Sequence, residues 1–124
     1  MSVLETEMHP LQALEAAEKE YCGGNYRKGC RFLWRATEVT FKMLAEAHGL
    51  DSTDLYAVAE DLDAKLILSN RKHHYLGGLI SGKLAKDHYE MDVLEIYDVE
   101  GLHRTIPRFV REYLSELDGN DASQ

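Results

Sequence analysis

The sequence predicts an all-α protein, folded as an up-and-down bundle of about five helices. Apolar residues recur at every third or fourth position almost throughout, and the strict alternation of a half-buried strand is absent. A chain of 124 residues suits one domain, which on folding removes about two-thirds of its unfolded surface from water. We therefore predict one helical domain over residues 1–124, with a polar tail at 118–124 that frays.

The first two helices are predicted as a hairpin. The stripe of the first helix has four members: Leu11, Leu14, Ala17 and Tyr21. Gly23 and Gly24 stop this helix because glycine readily adopts left-handed backbone conformations. Asn25 is suited to cap the second helix, and Gly49 ends it. The second helix places eight side chains on one face: Tyr26, Cys30, Leu33, Trp34, Thr37, Phe41, Leu44 and Ala45.

A third helix is predicted to begin after Asp51 or Ser52 as N-cap, with Asp54 in its first turn. Its buried face is predicted to contain Leu55, Val58, Ala59, Leu62 and Leu66. The polar segment 69–72 interrupts the pattern before a fourth helix, whose predicted apolar face contains Leu76, Leu79, Ile80 and Leu84. This fourth helix also contains three glycines, Gly77, Gly78 and Gly82, and each costs up to about 1 kcal/mol relative to alanine. Close packing against a neighbouring helix would explain them.

The last helix is predicted to begin at Asp98 as its cap. Seven residues form its predicted buried side: Val99, Leu102, Ile106, Phe109, Val110, Tyr113 and Leu114. Pro107 lies inside the pattern and cannot donate a backbone hydrogen bond. We therefore expect the helix to bend or divide at Pro107.

Charge and composition limit the classes of partner. The chain has 14 Lys and Arg against 22 Asp and Glu, a formal net charge of -8, which repels nucleic acid and anionic membranes. No apolar run approaches the roughly 20 residues that span a bilayer, and residues 1–8 lack a basic segment typical of a signal peptide. We expect a cytoplasmic protein with no membrane contact. Cys22 and Cys30 are expected to be reduced thiols, with Cys30 in the core.

One basic stripe is a candidate anion or nucleotide site. Its residues lie on or beside one face of the second helix: Arg27, Lys28, Arg31 and Arg35. Like charges four residues apart on a helix repel, so a partner is expected. That partner is either an acidic face of a neighbouring helix, such as Glu15 and Glu18, or a phosphate, nucleotide or acidic protein.

The histidines are candidates for a metal site. His88 and Asp92 are four residues apart, and Glu100 and His103 have the spacing found in di-iron bundles. A complete di-iron site needs a second such motif and two more inward-facing glutamates, which the sequence lacks. Solvated or capping histidines are the competing interpretation. No cofactor is expected.

Four aromatic residues in the predicted hairpin are expected to form core or a dimer seam: Tyr21, Tyr26, Trp34 and Phe41. The competing role for such a stripe is a platform on which a ligand stacks. The seven tyrosines also favour an interface, because their side chains are amphipathic.

The segment 21–45 resembles the opening hairpin of HEPN-superfamily proteins, and is most similar to their PaREP-type branch. The resemblance depends on a Gly24-Asn25-Tyr26 turn, a Trp34-Arg35-Ala36 step and Lys42 three residues before Ala45. A later element, 84–90, matches in part, with Ala85, Asp87 and His88 in place of the family's histidine, asparagine and phenylalanine. The resemblance extends over about residues 11–117, and it implies a helical bundle that often dimerises.

Nuclease members of the HEPN superfamily carry an arginine followed four to six residues later by a histidine. That pair is missing here, because the histidines after Arg71 are His73, His74 and then His88. The sequence also contains no complete catalytic motif and no phosphate-binding loop. We therefore favour a non-enzymatic interaction module, either a homodimer or an accessory subunit of a larger complex. The alternatives are a HEPN-like nucleotide or RNA binder with weak ribonuclease activity, and a small metal-binding bundle.

Overall fold

A computed structural model describes residues 8–68 and 75–122, and within these ranges the chain forms five helices and no strand. The helices are α1 (Pro10–Cys22), α2 (Tyr26–Ala47), α3 (Leu55–Leu68), α4 (Tyr75–Met91) and α5 (Ile96–Ala122). The predicted all-α bundle is therefore confirmed. The predicted break at 69–72 lies outside the described residues, as do His73 and His74. None of the described helices combines the length and the apolar character needed to cross a membrane.

Local hydrogen bonds explain the hairpin of α1 and α2. His9 and Gln12 form a reciprocal capping box at the start of α1, in which His9 Nδ1 accepts the Leu11 N–H at 3.1 Å. The helix ends before Gly23 and Gly24, as predicted, and Gly24 has a φ of 87°. Asn25 occupies the N-cap position of α2, but its side-chain amide donates to Glu20 at 3.1 Å instead of capping the helix.

Two of the predicted helix starts are wrong by a few residues. Helix α3 begins at Leu55, because the Asp54 carboxylate accepts the Ala57 N–H at 3.2 Å, whereas Asp51 accepts the Thr53 N–H in the preceding turn. Helix α5 begins at Ile96, so Asp98 lies in its first turn. The same helix extends to Ala122 and includes most of the tail for which we predict fraying.

The core consists of two clusters that meet along α2. The first cluster joins α1, α2 and α5 with one residue of α4: Ala13, Leu14, Ala17, Cys30, Leu33, Ala36, Ala85, Val99, Leu102, Ile106 and Val110. The second joins α2, α3 and α4 with one residue of α5: Phe41, Leu44, Ala45, Val58, Ala59, Leu62, Tyr75, Leu79 and Tyr113. Both cysteines are free thiols and Cys30 is buried, as predicted, while Cys22 is exposed.

Some large apolar residues assigned to the core are exposed: Leu11, Tyr26, Ile80 and Leu84. Three of the six buried residues of α4 are small, namely Gly78, Gly82 and Ala85, and α4 packs closely against its neighbours there. A Cβ on Gly82 would lie 2.7 Å from the Cβ of Thr37, and one on Gly78 would lie 2.9 Å from Cε2 of Tyr113. The predicted close packing at these two glycines is confirmed. Helix α5 continues through Pro107, so the proline does not divide it.

Candidate functional site

The basic stripe of α2 is largely used to hold the bundle together. Arg27 Nη2 donates to the backbone carbonyl of Tyr89 at 2.9 Å, in the last turn of α4. A cation at that position also interacts favourably with the helix dipole. The guanidinium of Arg31 lies 5.7 Å from the centre of the Tyr89 ring. Arg27 and Arg31 therefore fasten α2 to the end of α4, in a groove that Lys28, Tyr89 and Glu90 also line.

The acidic partners of the stripe differ from those we expect from the sequence. Lys28 Nζ lies 3.8 Å from Glu20, and Arg35 pairs with Glu38 at 2.9 Å within the same helix. Among the described residues, neither Glu15 nor Glu18 forms an ion pair with the stripe. Arg35 does not line the groove that Arg27, Lys28 and Arg31 share.

The four aromatic residues of the hairpin occupy three different environments. Phe41 is buried, with its ring edge-on to Tyr113 at 5.6 Å between centroids. Trp34 is partly buried, and its outer face is covered by the Lys83 ammonium at 4.8 Å from the ring centre. Tyr26 is exposed and packs against Tyr21 at 5.1 Å. They do not form one continuous stripe.

His88 supports the turn between α4 and α5. Its side chain is buried, and Nδ1 accepts the backbone N–H of Leu94 at 3.1 Å. The same nitrogen lies 3.8 Å from the carboxylate of Asp92, which has a φ of 52°. The nitrogen nearest to Asp92 therefore already accepts a backbone hydrogen bond.

His103 is packed between α1 and α2. Its ring lies 4.4 Å from that of Tyr21, and a Cβ on Gly29 would lie 2.7 Å from its Cε1. Burial lowers the pKa of His103 to about 4, although a backbone hydrogen bond with Tyr26 acts in the opposite direction. Within residues 8–68 and 75–122, no three His, Cys, Asp or Glu side chains are grouped so that they could hold a metal ion.

Among the residues that the structure describes, large exposed apolar side chains are grouped most closely along the chain where α4 ends and α5 begins. We call Met91, Val93, Ile96 and Tyr97 the turn surface. Their exposed fractions are 62%, 55%, 41% and 78%. The His88 hydrogen bond to Leu94 anchors the middle of this segment, so the four side chains are presented from a backbone that is fixed at its centre.

Acidic residues are frequent in the segment that contains the turn surface. Five carboxylates lie between residues 87 and 98: Asp87, Glu90, Asp92, Glu95 and Asp98. The same segment contains no lysine and no arginine. Lys86, the residue before this segment, lies 3.8 Å from Glu90, and residues 86–98 still carry an excess of four carboxylates over cations. The surface therefore combines apolar contact area with a net negative charge in the surrounding sequence.

Sequence reasoning did not select Met91, Val93, Ile96 and Tyr97 as an interaction surface. A signal was available, because acidic and large apolar residues are interleaved from 89 to 98 without the regular spacing of a helix face. No protein family, curated protein or solved structure matches the chain.

Proposed function

We propose that this protein is a non-enzymatic interaction module, and that its turn surface binds a basic, partly apolar segment of a partner protein. The observation that carries the proposal is the exposure of Met91, Val93, Ile96 and Tyr97 within one seven-residue segment. Single exposed apolar residues are ordinary on soluble proteins, whereas grouped ones mark interaction sites. Tyrosine and methionine are also among the residues enriched at interfaces.

The charge of the surface favours a different protein over a second copy of this chain. A two-fold symmetric dimer would apply the same patch to itself and bring two sets of five carboxylates together. The net charge of -8 adds a long-range repulsion between copies. A segment rich in lysine or arginine would instead be attracted, and its apolar residues would cover the turn surface.

A nucleotide- or RNA-binding role, the alternative that the HEPN resemblance implies, has less support. Arg27 already donates to the Tyr89 carbonyl, and Lys28 and Arg35 are close to carboxylates. An added phosphate would compete with these contacts. A metal-binding role has less support for the same kind of reason, because His88 Nδ1 already accepts a backbone N–H.

Selection from a displayed library of random peptides tests the proposal without a known partner. Wild-type protein is expected to enrich peptides that carry net positive charge together with large apolar residues. The double variant Val93→Ser, Tyr97→Ser is expected to lose this enrichment. Leu11→Ser is the matched control, since Leu11 is 46% exposed but lies on α1.

Enrichment of neutral or acidic peptides, or equal enrichment by the double variant, would contradict the proposal. Light scattering over a dilution series tests whether the partner is a different protein or a second copy of this chain. We expect a monomer at all concentrations. A dimer that dissociates in the Val93→Ser, Tyr97→Ser variant would show that the turn surface pairs with itself.

A further inference from the structure

A cleft of about 390 Å³ lies between α1 and α5, with one wall formed by α2. Four residues give it apolar walls: Leu14, Ala17, Leu33 and Pro107. The rings of Tyr21 and His103, which pack against each other, also line it. The volume lies in the range of ligand pockets, and the mixture of apolar walls with a few polar groups is typical of them.

The charged residues of the cleft are two of each sign: Glu18, Glu100, Arg104 and Arg111. Among the described residues, none of the four forms a hydrogen bond or an ion pair. This is unusual for Glu100 and Arg104, which are four residues apart on α5, the spacing at which opposite charges normally pair. Their charges are therefore available to a bound molecule.

The charges are distributed along the cleft. Burial and then the Glu100 carboxylate raise the pKa of Tyr21, whereas the Arg104 guanidinium lowers it. Arg111 lies seven residues beyond Arg104 on α5, a rise of about 10 Å along the helix. Positive charge therefore extends along α5 from Arg104 to Arg111.

We propose that this cleft binds a zwitterion with an apolar side chain, an amino acid or a short peptide. The carboxylate of the ligand pairs with Arg104 or Arg111, whose guanidinium groups suit bidentate contact. The ammonium lies near Glu100 and Glu18, and the side chain contacts Leu14, Leu33 and Pro107. A simple anion would meet two carboxylates, and a simple cation would meet two guanidinium groups. A ligand with both charges satisfies both pairs.

Calorimetric titration of the full chain with a matched set of compounds tests this. L-Phenylalanine and L-phenylalanyl-L-leucine distinguish an amino acid from a short peptide. N-Acetyl-L-phenylalanine lacks the ammonium, and L-phenylalanine amide lacks the carboxylate. We expect each blocked compound to bind about tenfold or more weakly than a zwitterion, since each loses a charge-assisted contact.

Substitutions locate the site. Arg111→Gln is expected to weaken zwitterion binding about tenfold, whereas Arg108→Gln, on the same helix but outside the cleft, leaves it unchanged. Glu100→Gln is expected to reduce the preference for L-phenylalanine over its N-acetyl derivative. Equal binding of the blocked compounds, equal effects of Arg108→Gln and Arg111→Gln, or no binding of any compound at millimolar concentration would each overturn the proposal. None of these outcomes bears on the turn surface.

Discussion

The carboxylate of Asp63, in the middle of α3, caps the start of α4 by accepting the backbone N–H of Tyr75 at 2.7 Å. Its second oxygen accepts the N–H of Leu76 at 3.1 Å. The first backbone N–H groups of a helix have no partner within that helix, so a carboxylate there is stabilising twice, as an acceptor and as a charge at the positive end of the dipole. One side chain thereby joins two helices that are consecutive in the chain.

Replacement of Asp63 by alanine is expected to lower the free energy of unfolding by about 1–2 kcal/mol, because two helix N–H groups lose their acceptor. Asp61→Ala, at an exposed position on the same helix, is expected to change it by less than about 0.5 kcal/mol. Urea unfolding followed by circular dichroism measures both. Equal effects of the two substitutions would show that the cap adds little.

Gly78 in α4 and Gly101 in α5 allow a second matched pair of substitutions. Gly78→Ala is expected to destabilise the protein by about 1–3 kcal/mol, because its Cβ would overlap the Tyr113 ring. Gly101→Ala, in α5, meets no atom within 4 Å and is expected to stabilise by about 0.5–1 kcal/mol, since alanine is the better helix former. Thermal and urea unfolding should give changes of opposite sign. Changes in the free energy of unfolding that have the same sign for both substitutions would contradict the close packing of α4.

The helices themselves could be predicted from the sequence because burial of one helix face leaves a period of about 3.6 residues in the chain. The same period identifies a face without showing whether another helix covers it. Ile80 and Leu84 satisfy the pattern and are exposed, whereas Gly78, Gly82 and Ala85 are buried. Size and hydrophobicity correctly identify Leu79 as buried but assign Ile80 and Leu84 to the wrong side of α4, because contact between close helices selects small residues.

Contacts between distant parts of the chain explain the other differences between the predicted and the observed structure. Arg27 belongs to a stripe that sequence spacing reveals, but its acceptor, the Tyr89 carbonyl, is 62 residues away. The start of α4 is likewise fixed by Asp63, which no local motif would select. At α3 the sequence favours Asp51 or Ser52 as the cap, whereas in the fold the Asp54 carboxylate accepts the N–H of Ala57. Sequence spacing groups Glu100 with His103 as metal ligands, whereas in the structure Glu100 lines a cleft together with Arg104.

The two cysteines are expected to differ sharply in reactivity. Cys22 is exposed, while Cys30 is buried and burial raises its pKa to about 11. A thiol-specific chromogenic reagent at pH 8 should therefore modify one thiol per chain quickly. Cys22→Ser should abolish that phase, and denaturant should release the second thiol. Rapid modification of two thiols in the native protein would contradict the position of Cys30 in the core.

The burial of His103 predicts that stability falls as the pH is lowered. Its pKa is about 4 in the folded protein against 6.5 for an ordinary histidine, so below pH 6.5 the unfolded chain binds a proton that the folded protein does not. The stabilisation that comes from the uncharged His103 ring is fully present above pH 6.5 and is lost as the pH falls toward 4. Because the ring is only partly buried, we expect a loss of about 1–3 kcal/mol.

The variant His103→Gln isolates this contribution, because glutamine does not titrate. The free energy of unfolding is measured in urea at intervals from pH 4 to 8 for both proteins. The variant is expected to be less dependent on pH between 4 and 6.5, whatever its absolute stability. His48, whose pKa burial also lowers, is present in both proteins, so its contribution cancels in the difference. If the free energies of unfolding of the two proteins ran parallel over this pH range, His103 would titrate alike in the folded and unfolded states. Its ring could then not be packed as closely against Tyr21 and Gly29 as the distances above require.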